Sequence, residues 1–314
     1  MATLTKKLMM CDMNNTVSLV FCVLLTCHNR REKTLRCLEA LFRAADNMEE
    51  RPRLAVFLTD DGCTDGTAQA VQETFPGRDV RISRSEDDLF WARGMCLSWR
   101  RALQEEPRTD FFLLLNDDTC LLPDGLNTLI ETLAYCRRQT GQEGLVSGLT
   151  CSSADAKQVT YGGMRWRSRW LGINELVVPK GEPLPCDETN ANILLVPRSV
   201  VEHIGIFHDG YRHSSADYDY SLLAGRYGIP CYVTGRTCGV CDFDHPDQWD
   251  KQKKLEQMTL SQRKAYFAHP LTSSADHLLF VRRNTPLRLP FVWLGRQMSI
   301  YCPKLYNRLF GFRF

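Results

Sequence analysis

Two pairs of adjacent carboxylates stand where apolar runs of the chain end. Asp60 and Asp61 follow one such run, and Asp117 and Asp118 follow another. Continuous apolar runs are typical of buried parallel strands, and open α/β sheets bind ligands beyond the carboxyl ends of their strands. Carboxylates combined with substrate phosphates are the ligands that a hard divalent cation prefers. The pattern therefore indicates an enzyme that binds a sugar nucleotide together with a hard divalent cation.

The composition is that of an ordinary globular protein. The chain has 314 residues, of which 24% are charged and 44% hydrophobic, and its formal net charge is +2. This length is enough for one large domain or two small ones. Nucleic-acid-binding proteins usually carry a concentrated basic excess, so we expect no nucleic-acid partner. The charge is uneven only near the end, where residues 282–314 include several Arg and Lys but no Asp or Glu.

The cysteines indicate a reducing compartment. The chain has 14 of them, scattered and in several cases inside apolar runs, where cysteine behaves as a small hydrophobic residue. Cys238 and Cys241 have the spacing of a metal knuckle, but the second pair that a structural zinc site needs is missing, so buried thiols are the favoured interpretation. Residues 1–15 do not resemble a signal peptide, and the apolar run at residues 17–25 is too short to span a bilayer. We expect a cytoplasmic protein.

The apolar pattern of the first half alternates between strand and helix. Strands are predicted at residues 17–25, 53–59, 80–83 and 111–116, and helices at residues 33–45, after Asp65, at residues 91–103 and after Pro123. Shorter apolar stretches follow at residues 145–149, 158–161 and 192–196, then helices near Arg198 and at residues 218–227, and a strand at residues 230–233. The alternation predicts an α/β fold with a mostly parallel central sheet and helices on both faces.

The C-terminal part has a helical pattern that prolines interrupt. It begins near Lys251, and we predict a division into an N-terminal tail (1–16), a catalytic domain (17–250) and a basic, aromatic helical extension (251–314). No run in the extension reaches the length that spans a bilayer. Two interpretations stay open: the extension lies on an anionic membrane surface, or it packs on the catalytic domain with a cationic outer face.

Six motifs in the chain occur in the order known from one enzyme family. They lie at residues 25–30, 60–67, 90–95, 115–119, 189–198 and 216–222. In these motifs the chain resembles the family 2 glycosyltransferases, which are inverting enzymes of the GT-A fold with a Rossmann-like central sheet. The likeness runs from about residue 17 to about residue 245 and is strongest to the bacterial rhamnosyltransferase-like branch, which builds surface polysaccharides.

The resemblance implies a reaction and its partners. A sugar would move from a nucleotide-diphosphate sugar, a UDP- or dTDP-sugar such as dTDP-rhamnose, to a glycan or to a polyprenyl-diphosphate-linked acceptor. Mg²⁺ or Mn²⁺ would bridge the two phosphates and neutralise the charge on the departing diphosphate. An enzyme with a lipid-linked acceptor would work at the cytoplasmic face of the membrane, where the C-terminal extension could hold it as a peripheral protein.

The resemblance also assigns roles to individual residues. Asp217 is the implied general base, which takes the proton of the acceptor hydroxyl, and Asp118 and His245 are the implied metal ligands. The implied donor site consists of Thr26, Cys27, Asn29, Arg30, Asp60, Asp61, Trp91, Arg93, Gly94, Met95, Asn116 and Asp117. The implied acceptor site consists of Asn190, Asn192 and Asp219.

Structural interpretations compete with some of these roles. Asp60 and Asp61 could form a turn that caps a helix, Asp217 could be a helix N-cap, Trp91 could be a core residue and His245 could be structural. The family has Glu where this chain has Ala216, which keeps open a degenerate transferase that serves as a glycan-binding or scaffolding subunit. A sugar-phosphate nucleotidyltransferase is disfavoured, because residues 26–30 contain no glycine for a phosphate-binding loop.

Overall fold

The computed structural model describes residues 18–86, 88–243, 248–272 and 274–310, without the side chains of residues 248–252. Within these residues the chain forms a central sheet and a small second sheet. The strands are β1 (Val20–Cys27), β2 (Arg53–Asp61), β3 (Val80–Ser85), β4 (Phe111–Leu115), β5 (Cys120–Leu121), β6 (Leu145–Cys151), β7 (Gly163–Ser168), β8 (Ile173–Leu176), β9 (Leu184–Pro185), β10 (Glu188–Thr189), β11 (Ile193–Pro197) and β12 (Cys231–Val240).

Helices connect the strands and continue beyond the last of them. They are α1 (Arg31–Asp46), α2 (Thr67–Thr74), α3 (Phe90–Glu105), α4 (Gly125–Thr140), α5 (Arg198–Ile204), α6 (Ala216–Arg226), α7 (Gln248–Gln257), α8 (Leu260–Ala268), α9 (Ser274–Asn284), α10 (Leu289–Tyr301) and α11 (Pro303–Phe310). Short 3₁₀ turns at Pro270–Thr272 and Pro286–Arg288 precede α9 and α10.

The central sheet is mostly parallel, as predicted. Its strand order is β3-β2-β1-β4-β11-β6-β12-β5, and β9 pairs with β12 outside this path. Strands β1 to β4 run parallel, β11 runs antiparallel to both of its neighbours, and β12 runs parallel to β6. The α/β fold class is thereby confirmed. A small antiparallel sheet, β10-β7-β8, was not predicted, because its strands alternate partly buried with exposed residues and carry no apolar run.

Side chains of β1 point alternately into two hydrophobic clusters, which explains why the strand is mostly apolar. Cys22 and Leu24 pack in a cluster with Trp99 of α3, whereas Val23 and Leu25 pack in a second cluster on the other face of the sheet, which includes residues of α1 and α4. All of these side chains are fully buried. A strand covered on both faces favours apolar residues at successive positions.

The observed elements differ from the predicted ones mainly in length. β1 begins and ends two or three residues later than residues 17–25, and β12 is a long strand where only residues 230–233 were predicted. The stretch at residues 158–161 is not a strand, since Val159 forms only an isolated bridge with Cys151. The extra length of β12 could not be predicted, because its second half contains glycine, arginine and threonine and has no apolar run.

The C-terminal helices pack on the part of the chain that forms the central sheet. Asp276, in the first turn of α9, accepts hydrogen bonds from the backbone N–H groups of Arg212, His213 and Ser214 at 3.1, 2.8 and 2.9 Å.

The prolines of this C-terminal region lie in the first turn of a helix, where the missing N–H has no hydrogen-bond partner to lose; they are Pro270, Pro286, Pro290 and Pro303. Among the described residues, no helix combines the length and the apolar character needed to cross a membrane.

Candidate active site

Several of the predicted site residues come together at one edge of the central sheet. The carboxyl ends of β1, β2 and β4 meet there, because these strands are parallel. β11 runs in the opposite direction, so its amino end brings Asn190 and Asn192 to the same edge. The carboxyl end of β12 adds Cys241, whose thiol lies 3.8 Å from Asp118 Oδ1. The edge therefore collects residues that are far apart in the sequence.

The loops after β1 and β2 are held to one another by side chains. Asn29 has a left-handed backbone, with φ of 51°, and its Oδ1 accepts a hydrogen bond from the Thr64 N–H at 2.8 Å. Asp65 accepts from the Arg31 N–H at 3.0 Å and from the Thr67 N–H at 3.1 Å. Asp65 thus contacts the first residue of both α1 and α2, and it lies one residue before the N-cap of α2, which is Gly66.

The two acids at the end of β2 have different surroundings. Asp60 is buried and accepts a hydrogen bond from the Cys63 N–H through Oδ1 at 2.7 Å. Asp61 uses both carboxylate oxygens for backbone contacts, accepting from Leu89 N–H at 2.8 Å and Phe90 N–H at 2.9 Å. Asp61 therefore positions the beginning of α3, whereas the described contact of Asp60 is within its own loop.

An acid pair that Arg30 bridges follows β4. Arg30 Nη1 donates to Asp118 Oδ2 at 2.8 Å and to Asp117 Oδ1 at 3.2 Å. Asp117 is buried, which raises the pKa of its carboxyl to about 7 although Arg30 acts in the opposite direction. Its Oδ2 is buried and has no hydrogen-bond partner among the described residues.

A divalent cation fits the donor set at this acid pair. Two carboxylates lie side by side, one of them with an unsatisfied buried oxygen, and a half-exposed guanidinium supplies the positive charge between them. Hard cations prefer such oxygen ligands and usually complete their shell with water and phosphate oxygens. His245, the second predicted ligand, lies outside the described residues.

The start of α3 contributes one residue to this edge and buries another. Trp91 donates from Nε1 to Asn116 Oδ1 at 2.8 Å, which fixes the indole next to the acid pair. Arg93 is exposed to solvent. Met95 is fully buried in the cluster that contains Trp99, so the expectation that Met95 lines a donor sugar is not supported by its position. The helical periodicity of α3 could not show which of its side chains face the site and which face the core, because its first turn contains both kinds.

Gly94 allows α3 to approach β1 closely. A Cβ atom at this position would lie 2.7 Å from Thr26 Oγ1 and 3.1 Å from Thr26 Cβ. Thr26 is β-branched and buried, so it has little freedom to move away. The Gly94 carbonyl also accepts a hydrogen bond from Thr59 Oγ1 at 2.9 Å. Gly94 acts through packing beneath the site.

We expect Gly94→Ala to destabilise the protein by about 1–3 kcal/mol, the usual cost of an added methyl group in a packed core. The free energy of unfolding from urea titration measures this effect. Gly77→Ala is the matched control, because a Cβ at Gly77 meets nothing within 4 Å. A Gly94→Ala protein as stable as the Gly77→Ala protein would contradict the close approach of α3 and β1.

Asp217 lies in the first turn of α6 with its carboxylate directed to the chain before β11. Its Oδ2 accepts a hydrogen bond from the Ala191 N–H at 3.0 Å. Burial raises the pKa of Asp217 to about 6, although backbone N–H groups act to lower it. The alternative that Asp217 is the N-cap is wrong, since the N-cap is Ser215, a residue with φ of 65°. Next to it, Asn190 donates to the Tyr218 hydroxyl at 2.8 Å.

Asp219 has a structural partner. It is almost completely buried and accepts from Arg283 Nε at 3.0 Å and from Asn284 Nδ2 at 2.7 Å, both on α9. Residues two apart on a helix face different directions, which explains why Asp217 and Asp219 have different surroundings. Asp219 joins α6 to the C-terminal extension, and its carboxylate is engaged in that contact.

Sequence reasoning missed Glu188. This residue of β10 is buried, and its Oε2 accepts from Asn174 Nδ2 at 2.8 Å. Burial raises its pKa to about 7, and the nearby charge of Asp217 acts in the same direction. Glu188 belongs to no motif, and only the fold of the unpredicted small sheet brings it near Asp217. An acid is therefore present in this neighbourhood although Ala216 stands where the family has Glu.

Cys238 and Cys241, which have the sequence spacing of a metal-binding pair, lie in different environments. Cys238 Sγ contacts Thr234 Oγ1 at 3.4 Å on one face of β12, while Cys241 lies near Asn192 Nδ2 at 3.4 Å. This agrees with the interpretation as buried thiols. The described cysteines are all unpaired by disulfides.

Comparison with known proteins agrees with this architecture. Residues 22–138 match the family described as glycosyl transferase family 2. Residues 1–349 of TarS from S. aureus form a similar structure, with a TM-score of 0.50 and 15% sequence identity over 93% of this chain and 83% of that one. A mannosyltransferase from Pyrobaculum calidifontis, solved with GDP-Man and Mn²⁺, gives a TM-score of 0.49 and 14% identity over 98% of this chain and 84% of that one. No curated protein sequence matches the chain.

Proposed function

We propose that this protein transfers a sugar from a nucleotide-diphosphate sugar to an acceptor hydroxyl, with inversion at the anomeric carbon. The match of residues 22–138 to the glycosyl transferase family 2 supports this proposal. The observation that carries the proposal is the acid pair Asp117–Asp118 at the same sheet edge as Asp60 and Asp217. The predicted fold class is confirmed by the sheet topology; membership of the whole chain in the family and its rhamnosyltransferase-like branch stay predictions.

The donor would lie across the loops after β1, β2 and β4. A buried carboxylate such as Asp60 can accept hydrogen bonds from a pyrimidine N–H or a ribose hydroxyl. Asn116 and Trp91, which are already joined to one another, would border the sugar. Asp118 and Asp117 would hold Mg²⁺ or Mn²⁺, which supplies Lewis-acid neutralisation of the diphosphate. Arg30 now bridges these acids, so it would release them to the cation and remain near the phosphates.

Asp217 would act as the general base. The acceptor oxygen attacks the anomeric carbon from the face opposite the diphosphate, its proton passes to Asp217, and the bond from the anomeric carbon to the diphosphate oxygen breaks. The raised pKa of about 6 suits this task, since a more basic carboxylate takes the proton more readily and is still ionised at neutral pH. The Ala191 N–H keeps Oδ2 in place and thereby orients the carboxylate.

The acceptor would approach from the side of Asn190 and Asn192. Asn192 donates to the thiol of Cys241, next to Asp118, and Asn190 is bound to Tyr218, next to Asp217. The two asparagines thus span the distance between the metal acids and the base. Asp219, predicted for the same site, is committed to Arg283 and would act as a positioning residue for α6. We propose a glycan or a lipid-linked glycan of surface polysaccharide synthesis as the acceptor.

Exposed apolar side chains and two half-buried arginines, on the C-terminal helices and on the turn between β7 and β8, suit a membrane-bound acceptor. We define the basic-aromatic surface as Trp170, Leu171, Leu287, Arg288, Phe291, Trp293 and Arg296. Leu287 and Phe291 are 71% and 75% exposed, and Trp170 in the turn between β7 and β8 is 67% exposed. Arg288 joins the two parts by donating to the Leu171 carbonyl at 3.1 Å. Apolar side chains beside arginines suit the interface of an anionic bilayer.

We expect the protein to co-sediment with phosphatidylglycerol vesicles and the double variant Phe291→Ser/Trp293→Ser to bind them at least about tenfold more weakly, a loss of about 1.4 kcal/mol. High salt should weaken binding of the unmodified protein, because arginines attract the anionic lipids. Val178→Ser is the control, since Val178 is an exposed apolar residue outside this surface. Equal co-sedimentation of the double variant and the control would refute the membrane assignment.

The proposed activity can be tested without knowing the acceptor. A panel of UDP-, dTDP- and GDP-sugars is added with Mn²⁺, and the thermal unfolding midpoint is recorded, since a ligand that binds only the native state raises it. We expect at least one donor to raise the midpoint in Mn²⁺ and to lose this effect in EDTA. A panel with no shift at millimolar concentrations would argue against a sugar-nucleotide enzyme.

A further inference from the structure

Two cysteines flank Asp60 in the part of the molecule where the donor base is proposed to lie. Cys27 is the last residue of β1 and Cys63 follows β2, and their Sγ atoms are 3.7 Å apart. Both thiols and the Asp60 carboxylate are buried. One possible ligand atom from each of the three residues lies within 4.8 Å of the others. The proposed transfer reaction uses the carboxylate but neither thiol.

The spacing of these groups suits a tetrahedral metal ion. With Zn–S bonds of about 2.3 Å, two thiolates of a tetrahedral zinc site lie about 3.8 Å apart. The observed Sγ–Sγ distance of 3.7 Å therefore requires almost no rearrangement. A disulfide would need the sulfurs at about 2.05 Å and so a larger movement of both loops.

The surroundings would also orient such ligands. The Asn29 N–H donates to Cys63 Sγ at 3.2 Å, and the Cys63 N–H donates to Asp60 Oδ1 at 2.7 Å. Hydrogen bonds to ligand atoms fix their direction and support the charge of a thiolate. The loop from Cys27 to Asn29 and the loop around Cys63 are thus already organised around these three side chains.

We propose that Cys27, Cys63 and Asp60 form a binding site for a thiophilic divalent cation, with Zn²⁺ as the ion that fits best. Binding would release the two thiol protons to solvent and form two Zn–S bonds and one Zn–O bond, with water in the fourth position. The site is separate from the acid pair at Asp117 and Asp118, because thiolates select zinc-like ions and carboxylates alone select Mg²⁺ or Mn²⁺.

Zinc at this position would compete with the donor. This consequence rests on the proposed function, in which Asp60 contacts the nucleotide. When one oxygen of the Asp60 carboxylate ligates zinc, that oxygen is no longer free to accept a hydrogen bond from the base or the ribose. Zn²⁺ at concentrations that fill the site would then inhibit transfer, and a bound nucleotide sugar would weaken zinc binding. Cation binding itself does not depend on the enzyme activity.

Cobalt(II) is the direct probe, because thiolate ligation gives an intense near-ultraviolet charge-transfer band. The reduced, metal-free protein is titrated with Co²⁺ without nucleotide and in excess Mg²⁺, which fills the carboxylate site. We expect one equivalent to produce the band and Zn²⁺ to abolish it. Cys63→Ser and Cys27→Ser should each lose most of the band. Cys241→Ser, which removes the thiol beside Asp118, and Cys96→Ser, which removes a core thiol, should keep it.

Two outcomes would overturn the proposal: no charge-transfer band in the unmodified protein, or a band of equal intensity in Cys63→Ser. A second measurement needs no variant. Zn²⁺ should slow alkylation of Cys27 and Cys63, followed by peptide mass spectrometry, and leave the rate at exposed Cys302 unchanged. Equal rates with and without Zn²⁺ at Cys27 and Cys63 would also refute the site. If the band appears but nucleotides do not affect it, the cation site stands and the placement of the donor base at Asp60 is wrong.

Discussion

Asp217→Asn is expected to lower turnover by about a hundred- to ten-thousand-fold while the Kd for the donor stays almost unchanged. The amide keeps the shape of the side chain and can still accept the hydrogen bond from the Ala191 N–H, which now measures 3.0 Å to Oδ2. What it loses is the ability to take the proton of the acceptor hydroxyl. The variant therefore separates chemistry from binding.

The pH dependence provides a second readout of the same prediction. Burial raises the pKa of Asp217 to about 6, and the base works only when it is ionised. Turnover of the unmodified enzyme should therefore fall as the pH decreases through about 6, whereas an exposed aspartate would stay ionised to about pH 4. In Asp217→Asn the residual rate should lack this step.

The control for this variant is Asp209→Asn, an exposed aspartate that pairs with Arg100. It should turn over at the rate of the unmodified enzyme. An Asp217→Asn enzyme that retains more than about a third of the turnover would move the role of base to another group, and Glu188 would be the first to test because it lies in the same neighbourhood.

Asp118→Asn is expected to abolish transfer and to weaken binding of the nucleotide sugar in Mn²⁺ at least about tenfold, which corresponds to about 1.4 kcal/mol. The amide cannot neutralise a divalent cation as a carboxylate does. Folding should be nearly unaffected, since Asp118 and Arg30 form a pair whose side chains are 20% and 48% exposed, and such pairs contribute about 0–1 kcal/mol. Calorimetric titration with and without Mn²⁺ measures the binding.

Asp124→Asn is the matched control for Asp118→Asn. Asp124 is a half-exposed aspartate at the start of α4, paired with Arg236 at 3.3 Å. It should bind the donor like the unmodified protein. If Asp118→Asn also binds the donor equally well in Mn²⁺, the cation is held elsewhere, and the acid pair after β4 has another role.

The sequence was sufficient to predict the central sheet and the edge at which the site forms. β1 and β4 are covered on both faces, so their residues form unbroken apolar runs that can be recognised without a structure. Because β1, β2 and β4 are parallel, the residues after them had to meet. The position of Asp60, Asp117 and Asp118 at one edge of the sheet could therefore be predicted from the sequence pattern.

Other parts of the site depend on contacts that no local pattern reveals. Glu188 comes near Asp217 only through the small antiparallel sheet. Asp276 holds the loop before Asp217 from a helix about sixty residues later in the chain. Met95 was assigned to the donor site although it belongs to the core, because only the docking of α3 on β1 decides which of its faces is buried. Tertiary packing decides the surroundings of these residues, so local sequence patterns could not predict them.

A crystal grown with Mn²⁺ and a nucleoside diphosphate, measured at a wavelength where manganese scatters anomalously, would locate the proposed metal and donor site. We expect an anomalous peak within coordination distance of the Asp118 carboxylate, about 2.0–2.3 Å, with the diphosphate on the same ion and the base beside Asp60. Arg30 should have left the position in which it bridges Asp117 and Asp118. A manganese peak away from both acids, or a nucleotide bound at another edge of the sheet, would show that the acid pair is not the metal site of a sugar-nucleotide enzyme.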